Sequence, residues 1–453
     1  MKLKDILEFC NGTLIGEANL ETNISNFSID SRNIPENGFF IPLKGENADG
    51  HSFINSAFEN GAIGTFTSKD IEKKDGKIII KVTDTLKALQ DISKNFRISN
   101  SEIPLVAITG SVGKTTTKDM IYSVLSKKYN TLKTKGNFNN DIGMPLTMIN
   151  YNNEDIIVLE MGMNNLGEIS FLSNIAKPNV SVIVNVGHSH IGNLGSRENI
   201  LKAKLEIIDG MNENGILIIN SDNDMLSKVE NINQKIIRFG FEKEADIFAY
   251  NIKIENDCTL FNINEEGNEY LVKLNLIGEK FIYNALAAWT VGKLYEVPIK
   301  DRIEALEKCE FTKMRMNIGN INNITVIDDC YNASPESMKL ALEALSKQNA
   351  KRKVAILGDM FELGEYAEEL HIKVGENVAS LNLDKLITVG EMAKKIAYGA
   401  INKGIKEDDV KSYETIDELL EVIEKQIEKE DAILVKASRG MKFERIINKL
   451  KNM

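Results

Sequence analysis

Leu105-Val106-Ala107-Ile108-Thr109-Gly110-Ser111-Val112-Gly113-Lys114-Thr115-Thr116 is the stretch from which the fold of this chain is read. Its first four residues are apolar throughout, as in a strand covered on both faces. Gly110 and Gly113 come next, and the pattern that follows predicts a helix from Thr116 to Lys127. Glycines let a backbone fold close around phosphate, and N–H groups at a helix start point at it. Lys114 can neutralise β- and γ-phosphates, and the Thr115 hydroxyl can ligate Mg²⁺. Thr109 through Thr116 (Thr109, Gly110, Ser111, Val112, Gly113, Lys114, Thr115 and Thr116) are therefore candidate nucleotide contacts. One departure stands out: the first glycine of G-x-x-x-x-G-K-[ST] would fall on Ile108. A bare glycine-rich turn is the bland alternative, and the strand–loop–helix context argues against it.

Outward from this stretch, short apolar runs alternate with helical patterns, which predicts α/β architecture. Buried-strand candidates are Ile156–Leu159, Val180–Val184, Ile216–Ile219, Ile324–Ile327, Val354–Leu357, Lys385–Val389 and Ala432–Val435. Before the stretch, Gly38–Leu43 and Ile78–Val82 read as strands. Asp84 suits the N-cap of a helix carrying Leu86, Leu89 and Ile92. Ile416, Leu419, Leu420, Ile423 and Ile427 mark one amphipathic face. The pattern breaks near Asn100 and lapses into a polar link from Phe311 to Asn323. Three α/β domains are expected, at residues 1–100, 101–312 and 313–453. The central one carries a mostly parallel sheet of P-loop type.

Length and composition agree. At 453 residues, two to three domains of roughly 150 residues are expected. Lys plus Arg number 55 against 66 Asp plus Glu, a formal charge of -11, which repels nucleic acid and anionic membrane. No apolar run reaches the ~18 residues of a membrane span, and the first residues hold no signal-peptide core. Cys10, Cys258, Cys309 and Cys330 lie far apart with no C-x-x-C pair. A cytoplasmic protein with reduced thiols is expected, and nothing demands more than a monomer.

Glu160 closes the strand Ile156–Leu159. The carboxyl end of a strand beside the glycine loop is where a second Mg²⁺ ligand belongs. Two of the four histidines, His188 and His190, follow another strand, which suits metal or substrate contact. Zinc is disfavoured for want of a third soft ligand. Lys202 and Lys204 stand two apart on a helix, so at most one need point inward. By itself that stretch reads as a solvated face. Asn284 and the amide-rich Asn137-Phe138-Asn139-Asn140-Asp141 suit base or sugar recognition and loop capping equally well. Asp328-Asp329-Cys330-Tyr331-Asn332-Ala333-Ser334-Pro335, Gly358-Asp359-Met360 and Lys436-Ala437-Ser438-Arg439 each follow a strand. Together they would line the crevice where open α/β sheets bind ligands.

These motifs resemble those of the ATP-dependent Mur ligases of peptidoglycan synthesis, from about Asp30 to Arg439. In that family the glycine loop has the form T-G-[ST]-x-G-K-[ST], so Ile108 is expected. Gly136–Pro145, Asp328–Pro335 and Gly358–Gly364 resemble the branch that joins D-alanyl-D-alanine to UDP-N-acetylmuramoyl-tripeptide. No D-N-P-R motif marks the diaminopimelate-adding branch. The resemblance implies a UDP-sugar domain, a central ATPase domain and a C-terminal dinucleotide-fold-like domain. It implies ATP and Mg²⁺ as cofactors. Thr115, Glu160, Lys204 and one of His188 and His190 would hold metal, with Lys204 carbamylated. That overturns the solvated-face reading of Lys204. Asn284, Arg315 and Asp329 would contact ATP. Ser31, Arg32, Asp49, Gly50 and His51 would lie near the uridine nucleotide, and Asn137, Asn140, Tyr331 and Asn332 near substrate. Lys436 and Arg439 would meet the dipeptide or the acyl phosphate. Lys114 would serve in catalysis beside Lys204, and His188 or His190 could take the amine's proton. The rival readings are a sister ligase with another acceptor and a P-loop ATPase that makes no covalent product.

Overall fold

The structure, a computed structural model, describes residues 1–255, 258–312 and 317–452. Three sheets, each with its own helices, form a three-domain α/β fold. The first has five strands in the order Thr13–Ile15, Ile78–Lys81, Gly64–Thr67, Gly38–Phe40, Asn26–Ser28. Only the Thr13–Ile15 pairing is antiparallel. Leu3 and Ile6 of the first helix are buried against it, as the amphipathic start implies. Asp84 caps the helix Thr85–Ser99 by accepting from the Lys87 N–H at 2.7 Å.

The central sheet has nine strands. Its order is Asn268–Leu274, Thr259–Glu265, Ile247–Ile254, Lys235–Gly240, Ile216–Asn220, Val180–Ile183, Leu105–Thr109, Ile156–Glu160, Thr131–Lys133. Leu105–Thr109 lies between Val180–Ile183 and Ile156–Glu160, parallel to both. Register then does chemical work. Ile108 pairs with Glu160 and Val182, so the acid arrives beside the glycine loop. The helix after the loop is Lys114–Leu125, two residues ahead of its predicted start, because Gly113 in the left-handed region turns the chain directly into it.

The antiparallel strands Thr259–Glu265 and Asn268–Leu274, which extend this sheet, are not expected from the sequence analysis. They cover the helix Lys280–Leu294. Trp289 there donates its indole N–H to Glu265 at 2.6 Å, and Arg302 pairs with the same carboxylate at 2.8 Å.

The C-terminal sheet runs Asn317–Ile321, Ile324–Asp328, Asp431–Lys436, Arg352–Gly358, Lys385–Val389, Val410–Tyr413. Its first strand corrects the predicted polar link of 311–323. Asn317–Ile321 pairs antiparallel with Ile324–Asp328 through Asn322 and Asn323, whose φ values are 53° and 66°. Two consecutive positive φ values at Asn make the tight hairpin turn whose twist matches the strands. An exposed edge strand carries no apolar run, so its pattern looked like loop. Leu419 and Ile423 of the helix Ile416–Gln426 face this core.

The domains are sewn together by polar bonds. The buried Arg97 guanidinium donates to the carbonyls of Ala176 and Ile103, each at 2.8 Å. Asn150 bridges to the Phe27 backbone, accepting from N–H at 2.7 Å. On the other side Gly192 N–H donates to the Glu362 carbonyl at 3.0 Å, and the Tyr366 hydroxyl to that of Gly195 at 3.0 Å.

Candidate functional site

A cavity of about 1130 Å³ opens where the central strands end, walled on its far side by the C-terminal domain. The glycine loop forms its floor. Gly113 has φ +86°, and a Cβ there would fall 3.0 Å from Asn284 Oδ1, so both backbone and neighbour demand glycine. Asn185 holds the loop from beside it, accepting from Val112 N–H at 2.9 Å and donating to the Val112 carbonyl at 2.8 Å.

At the loop's end the Thr115 hydroxyl donates to Glu160 at 2.9 Å, and Asn139 donates to the other Glu160 oxygen at 2.8 Å. Glu160 is 1% exposed. A buried carboxylate with a hydroxyl beside it is a hard-oxygen donor set of the kind Mg²⁺ takes. Lys204 is equally buried while Lys202 is exposed, as two positions on opposite helix faces should be. No carboxylate pairs with Lys204 among the described residues. Burial first, and the nearby Lys114 second, push its ammonium well below the ordinary lysine range. That favours the neutral amine. Lys114 itself reaches back to the Gly110 carbonyl at 2.7 Å.

Both histidines of the pair meet acids from the C-terminal domain. His188 Nδ1 lies 2.6 Å from Glu336 Oε1, whose oxygen also accepts from the His188 N–H at 2.8 Å. Burial alone would raise the Glu336 carboxyl, but the His188 contacts outweigh it and hold the carboxyl below its usual range. His190 Nδ1 lies 2.5 Å from Glu362, whose carboxyl is lowered by that contact. A carboxylate faces Nδ1 in each case, hydrogen-bonded at His188 and at ion-pair distance at His190, which leaves Nε2 for another partner. Across the cavity Lys436 is buried against Asp329 and donates to the Asn332 carbonyl at 2.9 Å. At the other end Phe241 and Tyr283 stack at 4.4 Å near Asp222, a flat apolar face beside a polar one.

The structure thus brings Ser111–Thr116, Asn140, Glu160, His188, His190, Asn284, Asp329, Tyr331, Asn332 and Lys436 to one cavity, with Lys204 buried close by Lys114. Thr109 and Gly110 lie just beneath its floor, Thr109 donating to the Met161 carbonyl at 2.9 Å. Asn137 does not line the cavity; its neighbour Asn139 reaches Glu160 instead. Arg315 lies outside the described residues. Arg439 lines a smaller adjoining cavity. Ser31, Arg32, Asp49, Gly50 and His51 sit on the first domain, apart from the main cavity. There His51 holds Asp49 with Nδ1 at 2.7 Å and accepts from Ser68 N–H at Nε2, 3.0 Å away, so both ring nitrogens are engaged. Arg32 pairs with Asp30 at 2.9 Å.

Sequence reasoning placed Asn139 only in an amide-rich run, without its Glu160 partner, and gave no role to Asn185, Glu336 or Glu362. Glu336 follows directly on the Asp328–Pro335 cluster, and Pro335 at the first helical position is the signal that an acid there sits in a helix's first turn. His371 was also unassigned. It accepts from Met360 N–H at 2.9 Å and shapes the turn that delivers Glu362.

Comparison with known proteins bears on all of this. Residues 23–97 match the Mur ligase family catalytic domain, 108–292 the Mur ligase middle domain and 314–439 the Mur ligase glutamate ligase domain. The chain is 38% identical to the UDP-N-acetylmuramoyl-tripeptide–D-alanyl-D-alanine ligase of Bacillus subtilis, over 99% of this chain and 98% of that one. It is similar to the crystal structure of MurF from Acinetobacter baumannii, with TM-score 0.88, 30% identity and coverage of 100% and 99%. MurF from Thermotoga maritima in complex with ADP matches with TM-score 0.80 and 29% identity, covering 95% of this chain and 97% of that one.

Proposed function

The chain belongs to the Mur ligase family, and we infer that it joins D-alanyl-D-alanine to UDP-N-acetylmuramoyl-tripeptide at the expense of ATP. The observation that carries this is a single cavity. The glycine loop, the buried Glu160–Thr115 pair and the C-terminal acids all open on it. Residues 1–100, 101–312 and 313–453 are taken as the UDP-sugar, ATP and closing domains, each built on one sheet. The cytoplasm is the compartment proposed, in keeping with four cysteines that form no disulfide among the described residues. No helix among the described residues is long and apolar enough to cross a membrane.

A free carboxylate is a poor acyl donor, so the tripeptide's terminal carboxylate first takes the γ-phosphate of ATP. Two anions must then meet in line, and catalysis consists of positioning and charge compensation. Lys114 and the loop N–H groups supply part of that charge, with Asn284 and Asp329 beside the nucleotide. Thr115, Glu160, one imidazole and Lys204 would hold Mg²⁺, which supplies the rest when bound. The lowered pKa of Lys204 supports its carbamylation, because only the neutral amine adds CO₂. In the second half the dipeptide amine attacks the acyl carbonyl, a tetrahedral intermediate forms, and phosphate leaves. The imidazole not engaged by metal takes the amine's proton at Nε2. Closure of the C-terminal domain over the cavity keeps water from hydrolysing the acyl phosphate.

The test is phosphate release from Mg-ATP and UDP-N-acetylmuramoyl-tripeptide, with and without the dipeptide. Release that requires the dipeptide and yields the pentapeptide by mass is expected. Release without it, or with a partner protein alone, would move the chain to the ATPase reading.

A further inference from the structure

On the helix that begins at Lys114, Asp119 is a buried carboxylate outside the cavity. It accepts from the Thr312 N–H at 2.9 Å and from the Thr312 hydroxyl at 2.8 Å. Lys133, at the end of the edge strand Thr131–Lys133, donates to it at 2.9 Å and lies 4.1 Å from the centre of the Tyr122 ring. Lys118 is fully buried 3.4 Å from the same carboxylate, and its Nζ makes no hydrogen bond among the described residues. Burial would raise the Asp119 carboxyl, but Lys118, Lys133 and Thr312 outweigh it and hold the carboxyl below its ordinary range. The same helix grips the chain just upstream of Thr312. Ser123 donates to the Ala305 carbonyl at 2.8 Å, and Lys127 pairs with Glu304 at 3.2 Å, both partners on the helix Ile299–Glu307. Thr312 is the last residue described before the third domain's first strand, Asn317–Ile321.

We propose that Asp119 is a positioning residue for the ligation: through Thr312 it pins the root of the third domain, so that Glu336 and Glu362 arrive at the two histidines. The inference rests on the ligase reading and goes beyond the residues that reading uses. The helix that presents Lys114 and Thr115 to the cavity at its start holds, farther along, the chain on its way to the third domain. One carboxylate against two lysines is a poor way to gain stability, because desolvation offsets the attraction, but it fixes one geometry. At the cavity the third domain meets the central one through His188–Glu336 and His190–Glu362, contacts on groups that the reaction itself engages. The Thr312 tie lies away from the cavity lining, where substrate does not compete for it. Loosening it should therefore spare nucleotide binding and slow the step that needs the third domain in place, because small misplacements far from the reacting atoms lower kcat.

The full-length enzyme is assayed for dipeptide-dependent phosphate release, for ADP affinity by calorimetry, and for its radius of gyration by small-angle X-ray scattering with and without ADP and UDP-N-acetylmuramoyl-tripeptide. Thr312→Val removes the hydroxyl bond and leaves Asp119 facing both lysines. It should lower kcat roughly fivefold, keep the KM for ATP and the ADP affinity within about twofold, and contract less than wild type when the ligands are added. Thr312→Ser, which keeps the hydroxyl, should restore kcat and the contraction. Asp119→Asn should lower kcat further, by roughly tenfold or more, but it also strips the lysines of their counter-charge, so the valine variant carries the test if the asparagine variant melts early. A folded valine variant with wild-type kcat overturns the pin. A fall in kcat matched by an equal loss of ADP affinity also overturns it, because the residue would then serve the nucleotide site. If wild type shows no dipeptide-dependent release, the ligase reading falls, and the scattering decides the pin by itself: equal contraction in wild type and valine variant overturns it, and a smaller one in the variant supports it.

Discussion

The glycine-loop end of the molecule and the Asp30–Arg32 and Asp49–His51 end use the same kinds of side chain in opposite ways. At the loop, Glu160 and Lys204 are each 1% exposed, and Lys204 has no carboxylate partner among the described residues. On the first domain the Arg32 side chain is 84% exposed and answered by Asp30, while Asp49 is answered by Lys69 at 2.7 Å and by His51. Burying an unmatched charge costs stability and persists where a ligand completes it. Exposed pairs are self-sufficient, worth little, and exchange partners easily. On the proposed reading the first end serves the chemistry and the second holds the uridine handle of the substrate.

That contrast can be broken by mutation. The largest effect is expected at Lys114→Ala, which should lower kcat by ~10³ or more with the melting temperature nearly unchanged. Steady-state phosphate release and calorimetry check it, and substantial turnover would remove Lys114 from the phosphate site. Lys204→Met comes next, with activity falling by ~10² or more while stability rises, because packed apolar atoms replace a buried amine whose charging burial penalises. The sign follows from linkage. The folded-state pKa of Lys204 lies below the unfolded value of about 10.4, so the unfolded chain binds more protons between the two. The penalty is complete below the folded pKa and fades as pH rises toward the unfolded one. Stabilisation by Met should therefore shrink on going to alkaline pH, and denaturation followed against pH would expose an error. A variant less stable at every pH would mean that Lys204 is matched after all.

Smaller effects belong to the first domain. Asp49→Ala removes the acceptor of the His51 N–H and the partner of Lys69, and should raise the KM for the uridine substrate roughly fivefold without touching that for ATP. Arg32→Ala should raise it only about two- to fivefold, and less in high salt. A large kcat effect at either position would erase the distinction between the two ends.

How far these features can be read without coordinates differs by region. The strand–loop–helix of Leu105–Thr116 and the buried β-branched runs declare themselves, because strands covered on both faces admit few polar residues. The edge strand Asn317–Ile321 and the antiparallel extension Thr259–Leu274 do not, since half-exposed strands carry polar residues at alternate positions. That Lys114, Thr115 and Glu160 come to one cavity is legible from local pattern. Lys204 is legible only through family resemblance, and from spacing alone it looked like a solvated charge.

What the sequence determined by itself is therefore the local pattern: a glycine loop between strand and helix, an acid at a strand end, paired histidines, and polar clusters after three more strands. Periodicity and glycine placement are short-range properties, and short-range sterics enforce them. Only the tertiary structure decided which of these meet. The parallel register that sets Ile108 opposite Glu160, the helix phase that buries Lys204 and exposes Lys202, and the docking that carries Glu336 and Glu362 to the histidines join residues far apart in the chain. Those juxtapositions are set by the packing of whole sheets and domains, which no short stretch of sequence contains.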